Sequence, residues 1–169
     1  PTIMESAPRV ATIIPTWQEE EHIERCLRSF MMQSYPATAH QILVIDGGST
    51  DATVEIVEEL AKESQELNGP EIILLENPAR FVPHARNLAL EFLHPDTEYI
   101  LEMIGHAWVP ADHLEIRIER MQKIESDIGR KIGGLGSIVI ESDLPLQKVG
   151  KWIEATLSCP LGGSGQFAR

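Results

Sequence analysis

Two short segments gather residues whose types and spacing could do chemistry. In the first, Ile13-Ile14-Pro15-Thr16-Trp17-Gln18-Glu19-Glu20, an apolar run ends at a proline and a threonine and then meets carboxylates. In the second, Val44-Ile45-Asp46-Gly47-Gly48-Ser49-Thr50-Asp51, an apolar run ends in an acid followed by two glycines and two hydroxyls. Asp46 is the sharper signal. A carboxylate closing a buried strand is costly unless it has a partner, and a nucleobase edge or a ribose, which donate hydrogen bonds, is one such partner. The glycines let the backbone turn tightly beside it. Glu19 and Glu20 fall at a helix start, where the dipole favours negative charge whatever else they do. Asp51 fits a plain helix cap as well as a ligand role.

The elements that would hold these residues follow from the hydrophobic period. Apolar runs at Val10–Pro15, Gln41–Asp46, Glu71–Leu75 and Tyr99–Met103 predict four strands. Between them the period changes to 3.6, predicting helices over Glu19–Met32, Asp51–Glu66, Val82–Leu93 and Ala111–Glu125. Inward positions are Ile23, Leu27, Phe30 and Met31 on the first helix, Val54, Val57, Leu60 and Ala61 on the second, and Leu114, Ile118 and Met121 on the fourth. A fifth, glycine-broken strand is expected over Lys131–Glu141 and a helix over Leu146–Leu157. Strands apolar throughout, alternating with amphipathic helices, predict an α/β fold with a mostly parallel sheet flanked by helices. In such sheets ligands bind beyond the carboxyl ends of the strands, where the strand order reverses. Residues just after Ile14, Ile45 and Met103 are therefore the ones to watch.

Bulk properties narrow the function. The chain has 169 residues, enough for a single domain with a full core. A net charge of −12 leaves no basic footprint for nucleic acid, and the carboxylates of Glu55, Glu58, Glu59, Glu63 and Glu66 read as a solvated helix face. Cys26 and Cys159 lack metal-ligand spacing, Cys26 falls on an apolar helix side, and a reducing compartment suits both. No apolar run approaches the roughly 18 residues of a membrane span, and no secretory signal opens the chain. A cytoplasmic location is expected. The absent initiator Met and the glycine-rich end at Arg169 suggest a piece of something longer.

The segments IIPTWQEE and VIDGGSTDAT resemble the opening of glycosyltransferase family 2, which has the GT-A (Rossmann-like) fold and whose usual pattern is I-I-P-x-x-N-E-E followed by V-x-D-x-x-S-x-D-x-T. Residues 77–90, NPARFVPHARNLAL, resemble the family's next helix, where an Arg-Asn pair recurs. The glycine after Asp46 and the Met103-x-x-His106 spacing look most like the subgroup acting in succinoglycan-type exopolysaccharide synthesis. The resemblance spans the chain but only the first, donor-binding half of a family domain. It implies an inverting transfer of sugar from an NDP-sugar, uridine-linked, to an acceptor hydroxyl on a glycan or lipid-linked acceptor. It also implies that Pro15, Thr16 and Glu19 line the nucleotide pocket, that Asp46 accepts from the base edge with Gly47 beside it, and that Arg86 approaches the donor. A guanidinium bonds phosphate oxygens in a bidentate fork, so Arg86 is also the physical choice for the diphosphate. Gly105 and His106 would sit at the donor, His106 as a metal ligand. Association with the cytoplasmic face of a membrane would come through a C-terminal part.

The sequence departs from that pattern at one chemical position. The family carries Asp-x-Asp, or in this subgroup Asp-x-His, after the fourth strand, where it holds Mg²⁺ or Mn²⁺ against the diphosphate. Here the positions are Ile104, Gly105 and His106, and isoleucine offers a hard cation no side-chain oxygen. Glu102 shares strand parity with them and is the available substitute. Gln18 replaces the usual Asn. The base that takes the acceptor proton belongs to the family's second half; the acids after the fourth strand, Asp112, Glu141 and Asp143, have no motif behind them. The alternative reading is a degenerate GT-A domain that binds nucleotide or a partner protein without transferring sugar. A nucleotidyltransferase fits less well, since Pro15-Thr16-Trp17-Gln18 stands where its glycine-rich signature should follow the first strand.

Overall fold

The computed structural model describes residues 7–136. Contacts divide the chain into two compact units, Pro1–Arg120 and Met121–Arg169. In the first unit β1 (Arg9–Thr16), β2 (His40–Asp46), β3 (Glu71–Glu76) and β4 (Thr97–Glu102) form one sheet in the order β3-β2-β1-β4. Every pairing is parallel. From β1 the chain steps outward to β2 and β3, then returns to place β4 on the other side of β1. The order therefore reverses at β1, and in open sheets of this kind ligands bind beyond the strands' carboxyl ends at such a point.

Helices on both faces explain why β2 is buried along its whole length. Ile14, Ile42 and Val44 pack against α1 (Ile23–Met31) and α2 (Thr53–Glu66), while Ile13, Leu43 and Ile45 meet Ala85 and Ala89 of α3 (Val82–Glu91). On α1 the buried residues are Ile23, Cys26, Leu27 and Phe30, a stripe at helical spacing. Leu114 and Ile118 of α4 (His113–Ile128) close a third cluster with Val10 and Tyr35. Arg28 of α1 joins α2 through two hydrogen bonds to Glu63, at 2.7 and 3.0 Å.

Three expectations need correction. The first helix opens at Ile23 rather than Glu19, because residues 18–20 are bonded instead to the loop after β2. On α2 the buried stripe is Thr53, Val57, Leu60 and Ser64, leaving Val54 and Ala61 only partly covered. In the second unit Lys131–Gly136 carries no strand. Gly129, at φ +67°, turns the chain at the end of α4, and Glu125 draws it back by bonding Lys131 Nζ at 2.8 Å and the Ile132 amide at 3.1 Å. The rest of that expected strand, and the helix over residues 146–157, lie outside the described residues. Among the described residues no helix is long and apolar enough to cross a membrane.

Candidate functional site

Three loops meet at the carboxyl ends of the strands, and the one after β2 is central among them. Asp46 is 4% exposed. Its Oδ2 accepts from the amides of Gly48 and Ser49, both at 2.8 Å, and its Oδ1 accepts from the Ser49 hydroxyl at 2.5 Å. The partner that a buried carboxylate demands is thus first of all its own loop, an Asx-type turn. Gly48 sits at φ +80°, which a side chain would resist. The Gly47 amide donates to the Thr16 carbonyl at 2.8 Å, fastening the ends of β2 and β1 together.

The loop after β1 is fastened to the same place. Gln18 takes a left-handed backbone at φ 57°. Its amide donates to the Ser49 hydroxyl at 2.9 Å, and its Oε1 accepts from the Thr50 amide at 2.7 Å. The Glu19 amide donates to the Thr53 hydroxyl at 2.8 Å, and Glu20 Oε2 accepts from the Ala52 amide at 3.0 Å, so Glu20 reaches across to the residue before α2 rather than serving its own helix. Asp51 accepts from the Thr53 hydroxyl at 2.6 Å and from the Glu20 amide at 3.2 Å. Partial burial works against ionisation of Asp51, but the Thr53 hydroxyl and amide and the Glu20 amide outweigh it and hold its carboxyl below the usual range. Asp51 is therefore a loop fastener.

The third loop follows β4. Gly105 is buried, and a β-carbon there would stand 3.0 Å from Glu19 Cγ and 3.2 Å from its Cδ. The close approach lets Glu19 Oε1 meet His106 Nδ1 at 2.8 Å. Gly105→Ala is expected to push Glu19 aside and destabilise the chain by about 1 kcal/mol, a mild overpacking cost. Urea unfolding measures it, and an unchanged midpoint would show that Glu19 gives way freely.

Beneath these loops the Cys26 thiol donates to the Ile104 carbonyl at 3.7 Å. Burial, helped by the Glu19 charge, pushes this thiol up to about 12, so it stays protonated and inert. Arg86, on α3, is engaged by Glu102 at the end of β4, with Nε donating to Oε1 at 2.6 Å. Glu102 therefore turns to Arg86, not to His106 as its strand parity suggested. Ile104 is 53% exposed and contributes no polar side chain. Among the described residues no three His, Cys, Asp or Glu side chains gather where a metal ion could bind. Hard dications want several oxygen ligands, and Glu19 with His106 falls short of that set. Asp112 is exposed and stands apart as the helix-start residue whose carbonyl accepts from Ile116; Glu141 and Asp143 lie outside the described residues.

Residues 11–129 match the sequence profile of glycosyl transferase family 2. The chain belongs to that family. Among its family 2 relatives, a dolichyl N-acetyl-α-D-glucosaminyl phosphate 3-β-D-2,3-diacetamido-2,3-dideoxy-β-D-glucuronosyltransferase of Methanococcus voltae is 31% identical over 94% of this chain and 47% of its own length. The succinoglycan biosynthesis protein ExoA of Rhizobium meliloti is 33% identical over 63% of this chain and 31% of its own length. The chain thus spans less than half the length of either. Among solved structures, the mannosyltransferase PcManGT of Pyrobaculum calidifontis, in complex with GDP-Man and Mn²⁺, superposes with a TM-score of 0.60 at 31% identity, over 66% of this chain and 32% of that one. Staphylococcus aureus TarS bound to UDP superposes with a TM-score of 0.59 at 22% identity, over 68% of this chain and 32% of that one, and shares the fold. The four-stranded parallel sheet with flanking helices is the GT-A arrangement of these neighbours.

Within the family frame, the structure brings Thr16, Glu19, Asp46, Gly47, Gly105 and His106 to one end of the sheet. Pro15 is the second-last residue of β1, and Arg86 joins from α3 through Glu102. Two residues of this end were not legible as such. Gln18 stitches two loops together, and Arg80 adopts φ 60° beside Gly48. The only sequence signal for the second was the Asn77-Pro78 turn dipeptide.

Proposed function

We propose that this chain is the donor-binding half of an inverting glycosyltransferase that uses an NDP-sugar, uridine-linked, and delivers the sugar to a hydroxyl of a glycan or lipid-linked acceptor. The observation that carries the reading is the loop that Asp46 holds closed at the point where strand order reverses. That loop, with the Gln18 loop stitched to it, makes a preorganised mouth where α/β sheets bind nucleotides. Two further features support it. The Thr16 hydroxyl, at the same end of β1, is buried without a hydrogen-bond partner among the described residues, an arrangement costing on the order of 1–3 kcal/mol that a ligand group would offset. The relatives' names describe sugar transfer, and solved neighbours hold UDP, UDP-GlcNAc and GDP-Man.

In this reading Pro15, Thr16, Glu19, Asp46 and Gly47 shape the nucleotide pocket, Gly105 admits Glu19, and Arg86 faces the donor, exchanging Glu102 for phosphate. The acceptor oxygen attacks the anomeric carbon, the bond from that carbon to the diphosphate breaks, and a carboxylate takes the acceptor's proton. Ile104, Glu19 and His106 do not make a hard-cation site.

Calorimetric titration of the 169-residue chain with UDP and UDP-sugars, with and without Mn²⁺, tests this. The expected result is UDP binding whose affinity Mn²⁺ changes by less than about threefold. A tenfold or greater gain with Mn²⁺ would show that other ligands complete a metal site around His106. No binding to any nucleoside diphosphate would remove the donor site. Ile104 favours a second reading, a degenerate module; nucleotide binding without any sugar transfer to water or acceptor would establish it.

A further inference from the structure

The proposed donor site needs positive charge, and the nearest side chains that could bring it already have partners. Glu19, Asp46, Asp51 and Glu102 surround that site; Arg86 is paired with Glu102, and His106 with Glu19. Arg80 differs. It is exposed, and its guanidinium has no carboxylate partner among the described residues. Its position is nevertheless fixed. The Asn77 amide donates to the Asp46 carbonyl at 2.7 Å, the Arg80 amide donates to the Asn77 carbonyl at 3.0 Å, and the buried Asn77 side chain donates to the Phe81 carbonyl at 3.1 Å. This turn forces Arg80 to φ 60°, a backbone that arginine resists.

The left-handed backbone carries the side chain over the Asp46 loop. Arg80 Nη2 and Nε lie 3.5 and 3.6 Å from where a β-carbon of Gly48 would stand. A bare glycine backbone and a guanidinium thus face each other at the proposed site. Strained non-glycine backbone gathers at functional sites because the surroundings over-determine it there, and Gln18, at φ 57°, marks the same rim.

We propose that Arg80 binds the diphosphate of the nucleotide donor, supplying the charge that the Ile104 position cannot bring through a metal. The planar fork offers paired donors to phosphate oxygens, and it is held in place before the ligand arrives. The inference rests on the donor-site reading above.

Arg80→Gly is the decisive variant, because glycine adopts φ 60° without strain. The expected result is a UDP affinity reduced about tenfold or more, an unchanged uridine affinity, and a melting temperature no lower than that of the parent chain. Arg80→Lys keeps the charge without the fork and should fall between the two. If Arg80→Gly binds UDP as the parent does, the proposal fails while the donor-site reading stands. If UDP and uridine weaken equally, or the melting temperature drops by several degrees, Arg80 shapes the loop and the phosphate assignment is overturned. If the parent chain binds no nucleotide, both readings fall together.

Discussion

Asp46→Ala is expected to destabilise the chain by about 3 kcal/mol and to weaken nucleotide binding by about a hundredfold or more. The carboxylate is 4% exposed and accepts three hydrogen bonds from Gly48 and Ser49. Alanine leaves those donors without an acceptor and frees the turn that Gly48 closes at φ +80°. The loss spreads, because Ser49 also receives the Gln18 amide. Asp51→Ala should cost less on both counts, since Asp51 fastens Thr53 and Glu20 in a more exposed place. Asp46→Asn separates structure from recognition. Its oxygen can keep the two amides, and its amino group can donate to the Ser49 hydroxyl, so folding should be nearly retained. Binding should still fall, because the acceptor that a base N–H requires is gone. Urea unfolding and calorimetry on the same samples measure both effects; equal binding losses for Asp46→Ala and Asp51→Ala would show that the pocket lies elsewhere.

Acidification should destabilise the protein, and His40 is a principal reason. At the start of β2 its ring is 2% exposed, with Nε2 2.9 Å from the Thr12 hydroxyl oxygen and Phe30 tilted beside it. Burial lowers its pKa from 6.5 to about 4. The folded state therefore prefers neutral His40, and the stability this carries is complete above pH 6.5 and is lost as the pH falls toward 4. Integrated over that window the loss is about 3 kcal/mol, most of it by pH 4.5. His113 acts in the same direction, lowered by burial and then by the Arg117 charge, against the opposing Asp112. Urea unfolding at pH 7.0 and about 4.5 should show the wild-type loss and a markedly flatter response in His40→Gln. Parallel responses would mean that acid sensitivity arises at other groups.

Much of the fold could be read from consecutive residues. The run Gln41–Asp46 announced a strand, and β2 occupies His40–Asp46. The spacing of Ile23, Leu27 and Phe30 announced the buried side of α1. Such patterns are legible because burial repeats with the local backbone period, which the neighbouring residues themselves define. The motif around Asp46, with the one after Ile14, is enough to suggest the family.

The sequence by itself determined the alternation of strand and helix, the parallel sheet, the family, and which polar residues follow the carboxyl ends of the strands. Only the tertiary structure decided what each polar side chain does there. Asp46 turned out to hold its own loop, Arg86 to hold Glu102, and Glu19 to meet His106 across 87 positions of sequence. Arg80 came to Gly48 through a left-handed turn that no periodicity announces. Partnerships of this kind depend on loop backbone angles and on which strand ends lie side by side. Those are set by the order β3-β2-β1-β4, which consecutive residues do not encode.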